Sequence, residues 1–220
     1  MCHRSGSGAI TVVELAPSVL FIQFARAPRE GEVKTRMIPH LSPRQACELH
    51  CELVLWTCRR LLTSGLGTVQ LSVAGDPADP LFAQCRAMGV DSVTSQSGAD
   101  LGERMYRAIQ AGLQCHSRVI LVGSDCPGID EAYLSAAVRA LERAPLVLGP
   151  AQDGGYVLIG AREIRGALFE GIRWGTSGVY AQTAGILREQ ALEWVELPTL
   201  ADVDRPADLA QWEDLRSAQH

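Results

Sequence analysis

The sequence predicts an α/β fold in which a parallel or mixed sheet is covered on both faces. Two observations predict it: short apolar runs of buried-strand type alternate with helical segments almost throughout, and cap and turn residues punctuate the joins. The first run is Val19-Leu20-Phe21-Ile22-Gln23-Phe24, followed by a charged loop from Arg26 to His40. Ser42-Pro43-Arg44-Gln45 offers a capping serine, a proline at the first helical position and a glutamine to close a capping box, so a helix runs from here to about Thr63, with Gly65 behind it. Val69–Ala74 is the second strand, closed by Gly75-Asp76-Pro77, and a short helix over Leu81–Met88 stops at Gly89. A weaker third strand is expected over Val90–Val93. Asp100, with Glu103 three residues on, caps a helix to about Leu113. Arg118–Gly123 is the clearest strand, and Asp130 starts the helix after it. Leu146–Gly149 and Tyr156–Gly160 are strands joined by Pro150–Gly155. Short helices over Glu163–Phe169 and Val179–Gln190, a strand Trp194–Leu197 and a helix opened by Pro206 complete the order. Residues 1–16 read as a loose arm and 17–220 as one domain.

Composition excludes several function classes. Of 220 residues, 47% are apolar and 20% charged, with a net charge of −5. That is enough apolar side chain to offset chain entropy, so disorder is excluded. The acidic balance argues against a nucleic-acid-coating protein. The longest uncharged stretch near the start, Leu15–Ala25, is eleven residues, against the ~20 a bilayer span needs. Arg4 and the Ala25-Arg26-Ala27 sequence imitate a secretory signal, but Glu14 and Pro17 interrupt the apolar region and cleavage would remove the first core strand. Seven cysteines without a CxxC pair or framework spacing read as reduced thiols of a cytoplasmic protein. Cys47, Cys51 and Cys58 share a helix face with Leu55 and Leu62, which favours core packing over a soft-metal site. No oligomeric state has a signature here.

In open α/β sheets, ligands bind beyond the carboxyl ends of the strands, and three loops expected there carry reactive side chains. Arg26 to Arg36 holds Arg26, Arg29, Lys34 and Arg36 against Glu30 and Glu32, with Pro28 and Gly31 shaping the turn. Lys34, Thr35 and Arg36 together offer the donors a polyphosphate requires. Val33 stands where a Walker A loop needs glycine, so it is not that motif; a solvated charged loop is the plainer alternative. Gly123-Ser124-Asp125-Cys126-Pro127-Gly128 puts a carboxylate at the end of a buried strand, suited to a hard cation such as Mg²⁺. Asp130 is better placed than Asp125 to cap the next helix, and Cys126 reads as a small buried neighbour. Asp202-Val203-Asp204 precedes Pro206; in an extended segment its carboxylates project to one side, ~6.6 Å apart, where they could complete a metal site with Asp125. Helix initiation is the alternative. Between these lies Gly149–Tyr156: Gly154 and Gly155 permit close backbone approach, and Asp153 could accept sugar hydroxyls or act as a base. Trp174-Gly175-Thr176 offers an aromatic face, or a core tryptophan.

Together these segments resemble one family. Phe24-Ala25-Arg26-Ala27-Pro28, Gly31-Glu32-Val33-Lys34-Thr35-Arg36, Gly123-Ser124-Asp125-Cys126-Pro127, Gly149-Pro150 with Asp153-Gly154-Gly155-Tyr156, Trp174-Gly175-Thr176, and Asp202-Val203-Asp204 with Pro206 and Asp208-Leu209 are similar, in that order, to glycosyltransferase-A-like proteins of the nucleotide-diphospho-sugar transferase superfamily. The resemblance is to the arsenosugar-biosynthesis type, also called radical-SAM/selenodomain-associated transferases, with 2-phospholactate guanylyltransferases more distant. It covers about residues 18 to 215. Arg26 stands where lysine is expected and Met37 where leucine is usual; both keep the character of the position.

The resemblance implies a three-layer α/β/α, Rossmann-like fold with a mixed, mostly parallel sheet, and a divalent metal, Mg²⁺ or Mn²⁺, bridging a nucleotide's phosphates. By position Asp125, Asp202 and Asp204 are the metal carboxylates, and Arg26, Gly31, Lys34, Thr35, Arg36 and Gly123 belong to the nucleotide and phosphate site. Lys34, Asp125 and Asp153 are the expected catalytic residues; Asp153, Gly154, Gly155, Tyr156, Trp174 and Thr176 face the sugar or acceptor. The expected activity is glycosyl transfer from an NDP-sugar to a small acceptor. Nucleotidylyl transfer from an NTP to a small phosphorylated metabolite, with release of pyrophosphate, is the alternative, and a non-catalytic nucleotide-binding protein the third reading. Neither nucleic acid nor membrane is an expected partner.

Overall fold

The computed structural model describes residues 18–218; the expected N-terminal arm lies outside them. Seven strands form one sheet in the order β3-β2-β1-β4-β6-β5-β7. The strands are β1 (Val19–Arg26), β2 (Thr68–Ala74), β3 (Ser92–Ser95), β4 (Arg118–Val122), β5 (Leu146–Pro150), β6 (Tyr156–Ala161) and β7 (Trp194–Glu196). Every neighbouring pair is parallel except those made by β6, which runs against both β4 and β5. The sheet is therefore mixed and mostly parallel, as expected.

The helices are α1 (Pro43–Ser64), α2 (Pro80–Met88), α3 (Leu101–Gly112), α4 (Glu131–Arg143), α5 (Val179–Glu189) and α6 (Leu209–Ser217). Their ends follow the local chemistry. Ser42 and Gln45 close the capping box at α1, and Gly65 ends it in the left-handed region. Asp79, Asp100 and Asp130 each accept a backbone N–H at the starts of α2, α3 and α4. Three expectations shift. The third strand begins at Ser92, because Val90 N and Asp91 N are spent on Cys85 O and Val69 O. The helix expected over Glu163–Phe169 is a single 3₁₀ turn, Gly166–Phe169. Pro206 opens a 3₁₀ turn, Pro206–Asp208, before α6.

Because both faces of β1 and β4 are covered, their residues divide between two cores. Val19, Phe21 and Ala25 join Val54, Leu61, Leu134 and Leu141 of α1 and α4. Leu20 and Ile22 face the opposite way, toward Met105 and Ile109 of α3 and Leu187 of α5. Cys58 and Cys85 are buried in the first core and Cys51 packs against it, as core packing predicts; the six described cysteines are all free thiols. No helix among the described residues is long and apolar enough to cross a membrane.

A third, smaller cluster matters more for the site. Met37, Leu49, Leu53 and Trp56 enclose Val203 and Trp212, with Trp56 and Trp212 edge-to-face at 5.0 Å between centroids. It joins the loop after β1, helix α1 and the C-terminal segment. Truncating an aromatic side chain in such a position costs ~3–5 kcal/mol. Trp212→Ala is therefore expected to lower the unfolding free energy by about that amount in denaturant melts, and a loss below ~1 kcal/mol would show that α6 is a passive appendage.

Candidate active site

The connection from β1 runs to β2 on one side, while β4 joins β1 on the other. Between the two strands their following loops diverge, which opens a crevice at the carboxyl end of the sheet. The cationic loop after β1 and the Asp125 loop after β4 both lie there, and the antiparallel β6 places the β5–β6 hairpin at the same end.

Lys34 adopts a left-handed backbone conformation, φ 50°, which few non-glycine residues tolerate. Its side chain is 3% exposed, and its ammonium lies 2.7 Å from Asp125 Oδ1. It donates to Val203 O at 2.5 Å. Val203 N in turn donates to Asp125 O at 2.8 Å. The loops centred on residues 34, 125 and 203 are thus knotted at one point. Asp125 Oδ1 is buried against the ammonium, its one close partner. The carboxylate as a whole remains 48% exposed in the crevice.

Residues behind the site fix this arrangement. Gln23, fully buried in β1, donates from Nε2 to Val54 O of α1 and to Ser124 Oγ, 2.9 Å each. Ser124 Oγ donates to Phe24 O at 2.8 Å, and Trp56 Nε1 to Pro127 O at 3.1 Å. The strand-end loop is held from both sides. Asp130 caps α4 through Tyr133 N, and Cys126 is buried with its thiol pushed up to about 12 by burial, so it is an inert neighbour.

Two adjoining cavities share Arg36, Leu101, Gly123 and Asp125. The larger, about 550 Å³, is bordered by Arg26, Lys34, Thr35 and Arg36 of the first loop, together with Gln96 and Arg104. The smaller, about 300 Å³, has Asp125, Asp153 and Asp202 on its walls with Tyr156, Trp174 and Thr176. At Gly123 an added Cβ would meet nothing within 4 Å, so the backbone there faces open space. Gly31 turns the first loop (φ 78°) without bordering either cavity. Gly154 is also structural: with φ 90°, a Cβ would lie 2.0 Å from Ser177 O. Gly155 N instead donates to Asp153 Oδ1 at 2.8 Å, orienting that carboxylate. Trp174 stacks on Phe169 and meets Tyr156 edge-on, and it also borders the smaller cavity.

The carboxylates divide. Asp204 pairs with Arg36 Nη1 at 2.5 Å, and its backbone N–H donates to Asp208 Oδ2 at 2.9 Å. Asp202 is half-buried; burial first, then the nearby charges of Asp153, Asp204 and Asp125, raise its pKa above the usual carboxylate value. Among the described residues no three His, Cys, Asp or Glu side chains form a metal-binding group. The chemistry still suits a hard cation, which takes one or two carboxylates and completes its shell with phosphate oxygens and water: the Asp125 carboxylate is 48% exposed in the crevice although Lys34 holds one of its oxygens, and Asp202 stands among like charges that a cation would relieve.

Sequence reasoning missed Gln23, whose signal was a lone amide in an apolar strand, and Arg104 on α3. His50 also borders the larger cavity; burial lowers its pKa, and Nε2 sits 2.9 Å from Arg26 O.

Comparison with known proteins agrees with the geometry. A candidate nucleotide-diphospho-sugar transferase of Desulfovibrio desulfuricans G20 is 31% identical and superposes with a TM-score of 0.78, covering 86% of this chain and 84% of that one. The 4-diphosphocytidyl-2C-methyl-D-erythritol synthase of Anaerococcus prevotii shares the fold at 11% identity (TM-score 0.57, covering 93% and 97%). Glucosyl-3-phosphoglycerate synthase of Mycobacterium tuberculosis, solved with Mn²⁺, UDP and phosphoglyceric acid, does so at 15% (TM-score 0.52, covering 95% and 79%). No curated protein matches. The α/β/α architecture is thus that of the nucleotide-diphospho-sugar transferases. Since the model of the family described as uncharacterized proteins conserved in bacteria (DUF2064) matches residues 57–176, a span running from α1 through the Asp125 loop to Thr176, the chain belongs to that family.

Proposed function

We propose that the protein is a divalent-metal-dependent transferase that moves a glycosyl group from a nucleotide-diphospho-sugar to a small acceptor. The observation that carries this reading is the 2.7 Å contact of Lys34 with Asp125, which brings the cationic loop and the strand-end carboxylate to the boundary of two cavities. The larger cavity suits the nucleotide diphosphate. The smaller, with its carboxylates beside Trp174, suits a hydroxylated sugar or acceptor that presents an apolar face to the ring and hydroxyls to the acids.

Each residue then has a task. Lys34 fixes the orientation of Asp125. Arg36, half exposed and bordering both cavities, stabilises charge that develops on the leaving diphosphate. Asp153, held by Gly155 N, accepts hydroxyls of the transferred sugar or the acceptor. Asp125 and Asp202 would hold Mg²⁺ or Mn²⁺, which when bound supplies Lewis-acid neutralisation of the same charge. Asp204 holds Arg36 and stays outside this set.

The larger cavity's cationic loop also supports nucleotidylyl transfer. However, Lys34 and Arg36 are already balanced by Asp125 and Asp204, and the positive charge left over matches a diphosphate diester better than a triphosphate. Supplying NDP-sugars and NTPs with Mg²⁺ or Mn²⁺ and identifying the product separates the two: a nucleoside diphosphate supports glycosyl transfer, whereas pyrophosphate from an NTP overturns it.

Asp125→Asn is expected to lower turnover at least ~10³-fold and to lower the thermal midpoint, since it leaves a buried ammonium without its counter-charge; steady-state kinetics and melting curves check both. Near-normal turnover would remove Asp125 from the mechanism. Asp202→Asn separates stability from function. Without metal at pH 7 the variant melts higher than wild type, because the burial of a charged carboxylate and its repulsion from Asp153, Asp204 and Asp125 are both relieved, while its Mn²⁺ affinity with nucleotide bound falls at least ~10-fold by calorimetry.

A further inference from the structure

The cations bordering the larger cavity are not equally available. Lys34 is spent on Asp125 and Val203 O, and Arg36 on Asp204. His50 is held toward its neutral form by burial and is tied to Arg26 O. Arg104 differs. It is half-buried on the first turn of α3, and its Nε donates to Gly98 O at 3.2 Å. Among the described residues, its two terminal nitrogens have no acceptor and no carboxylate forms an ion pair with it. Asp100, four residues earlier on the same helix, has its carboxylate committed to Glu103 N. Glu103 is committed to Ala99 N and Arg107.

Gly98 explains how the guanidinium is aimed. The segment before α3 passes so close that a Cβ at Gly98 would lie 2.7 Å from Arg104 N, with φ +149°. That approach puts the Gly98 carbonyl on Nε and fixes one edge of the fork, leaving the other edge free. A half-buried guanidinium without a counter-charge is costly unless something completes it, and its planar pair of donors matches two oxygens of a phosphate.

We infer that Arg104 is the principal anion-gripping residue of the donor cavity and takes the diphosphate of the nucleotide donor in a bidentate contact. This rests on the cavity being a nucleotide site, as proposed above. It moves part of the phosphate recognition from the loop after β1, where the sequence points, to the opposite wall formed by α3. Lys34 then organises Asp125, Arg36 is shared between Asp204 and the leaving group, and Arg104, held at Nε by Gly98 O, supplies the aimed charge that meets the ligand in the ground state.

The test is calorimetric and needs no acceptor. ADP, GDP, CDP and UDP are titrated into the metal-free protein, and the tightest binder is compared with its parent nucleoside, the latter by competition. Arg104→Gln is expected to weaken the diphosphate at least ~10-fold and the nucleoside less than ~2-fold. Arg104→Lys, which keeps the charge and loses the fork, falls between. Arg107→Gln, one turn further along α3 and bonded to Ser97 and Glu103, is expected to bind as wild type does. Melting curves show that each variant is folded. Unchanged diphosphate binding by folded Arg104→Gln overturns the inference and leaves the proposed function standing. An equal loss for nucleoside and diphosphate overturns it too, because Arg104 would then read the base. If no nucleoside diphosphate binds wild type without metal, this inference fails; if none binds with Mg²⁺ or Mn²⁺ added either, the proposed function fails as well.

Discussion

A single buried ammonium organises the cleft. Lys34 brings one positive charge to a place where its side chain is almost wholly enclosed, and a charge so placed is tolerated only with partners on hand. The partners come from elsewhere in the chain: the Asp125 carboxylate from the end of β4 and the Val203 carbonyl from the segment before α6. Meeting them requires a left-handed backbone at Lys34, which costs a non-glycine residue ~1–2 kcal/mol. That cost is met where Met37 and Val203 enter the cluster with Trp56 and Trp212. The apolar contact brings the segments together, and the ion pair sets their register to the ångström.

Behind this junction, polar side chains do work that apolar ones could not. Gln23 occupies a core position in β1, yet its amide reaches both the backbone of α1 and the Ser124 hydroxyl. With Trp56 on the Pro127 carbonyl, it makes the loop after β4 an extension of the core. A carboxylate on such a loop keeps one orientation through a reaction, which is the condition for preorganised electrostatics.

Much of the fold could be read in the sequence because its signals are local. The capping box at Ser42, the aspartate caps at Asp100 and Asp130, and the apolar runs over Val19–Phe24 and Arg118–Gly123 each depend on a few neighbouring residues, and the structure shows them where they were expected. The third strand starts later than Val90 because Asp91 N is claimed by Val69 O, a partner that a window of sequence does not contain, while Glu163–Phe169 closes only as a 3₁₀ turn with Leu168 N on Arg165 O. The site residues follow the same division. Charged loops at strand ends announce Lys34, Arg36, Asp125 and Asp153. Which cation neutralises which acid depends on distances across the fold: the sequence offers no hint that Asp204 pairs with Arg36, and it singles out nothing at Arg104, which borders the cavity.

The reversed strand β6 has a consequence for how such proteins diversify. Because β5 and β6 form a hairpin, Asp153, Gly155 and Tyr156 lie on one contiguous stretch of about ten residues, whereas the opposite chamber is assembled from the ends of β1, β2 and β4 together with α3. A contiguous hairpin tip can be lengthened, shortened or recoded without disturbing the parallel strands. Such edits would reshape one wall of the smaller cavity, the others being formed by Trp174, Thr176 and Asp202, while the chamber across the ridge of Gly123 and Asp125 keeps its lining.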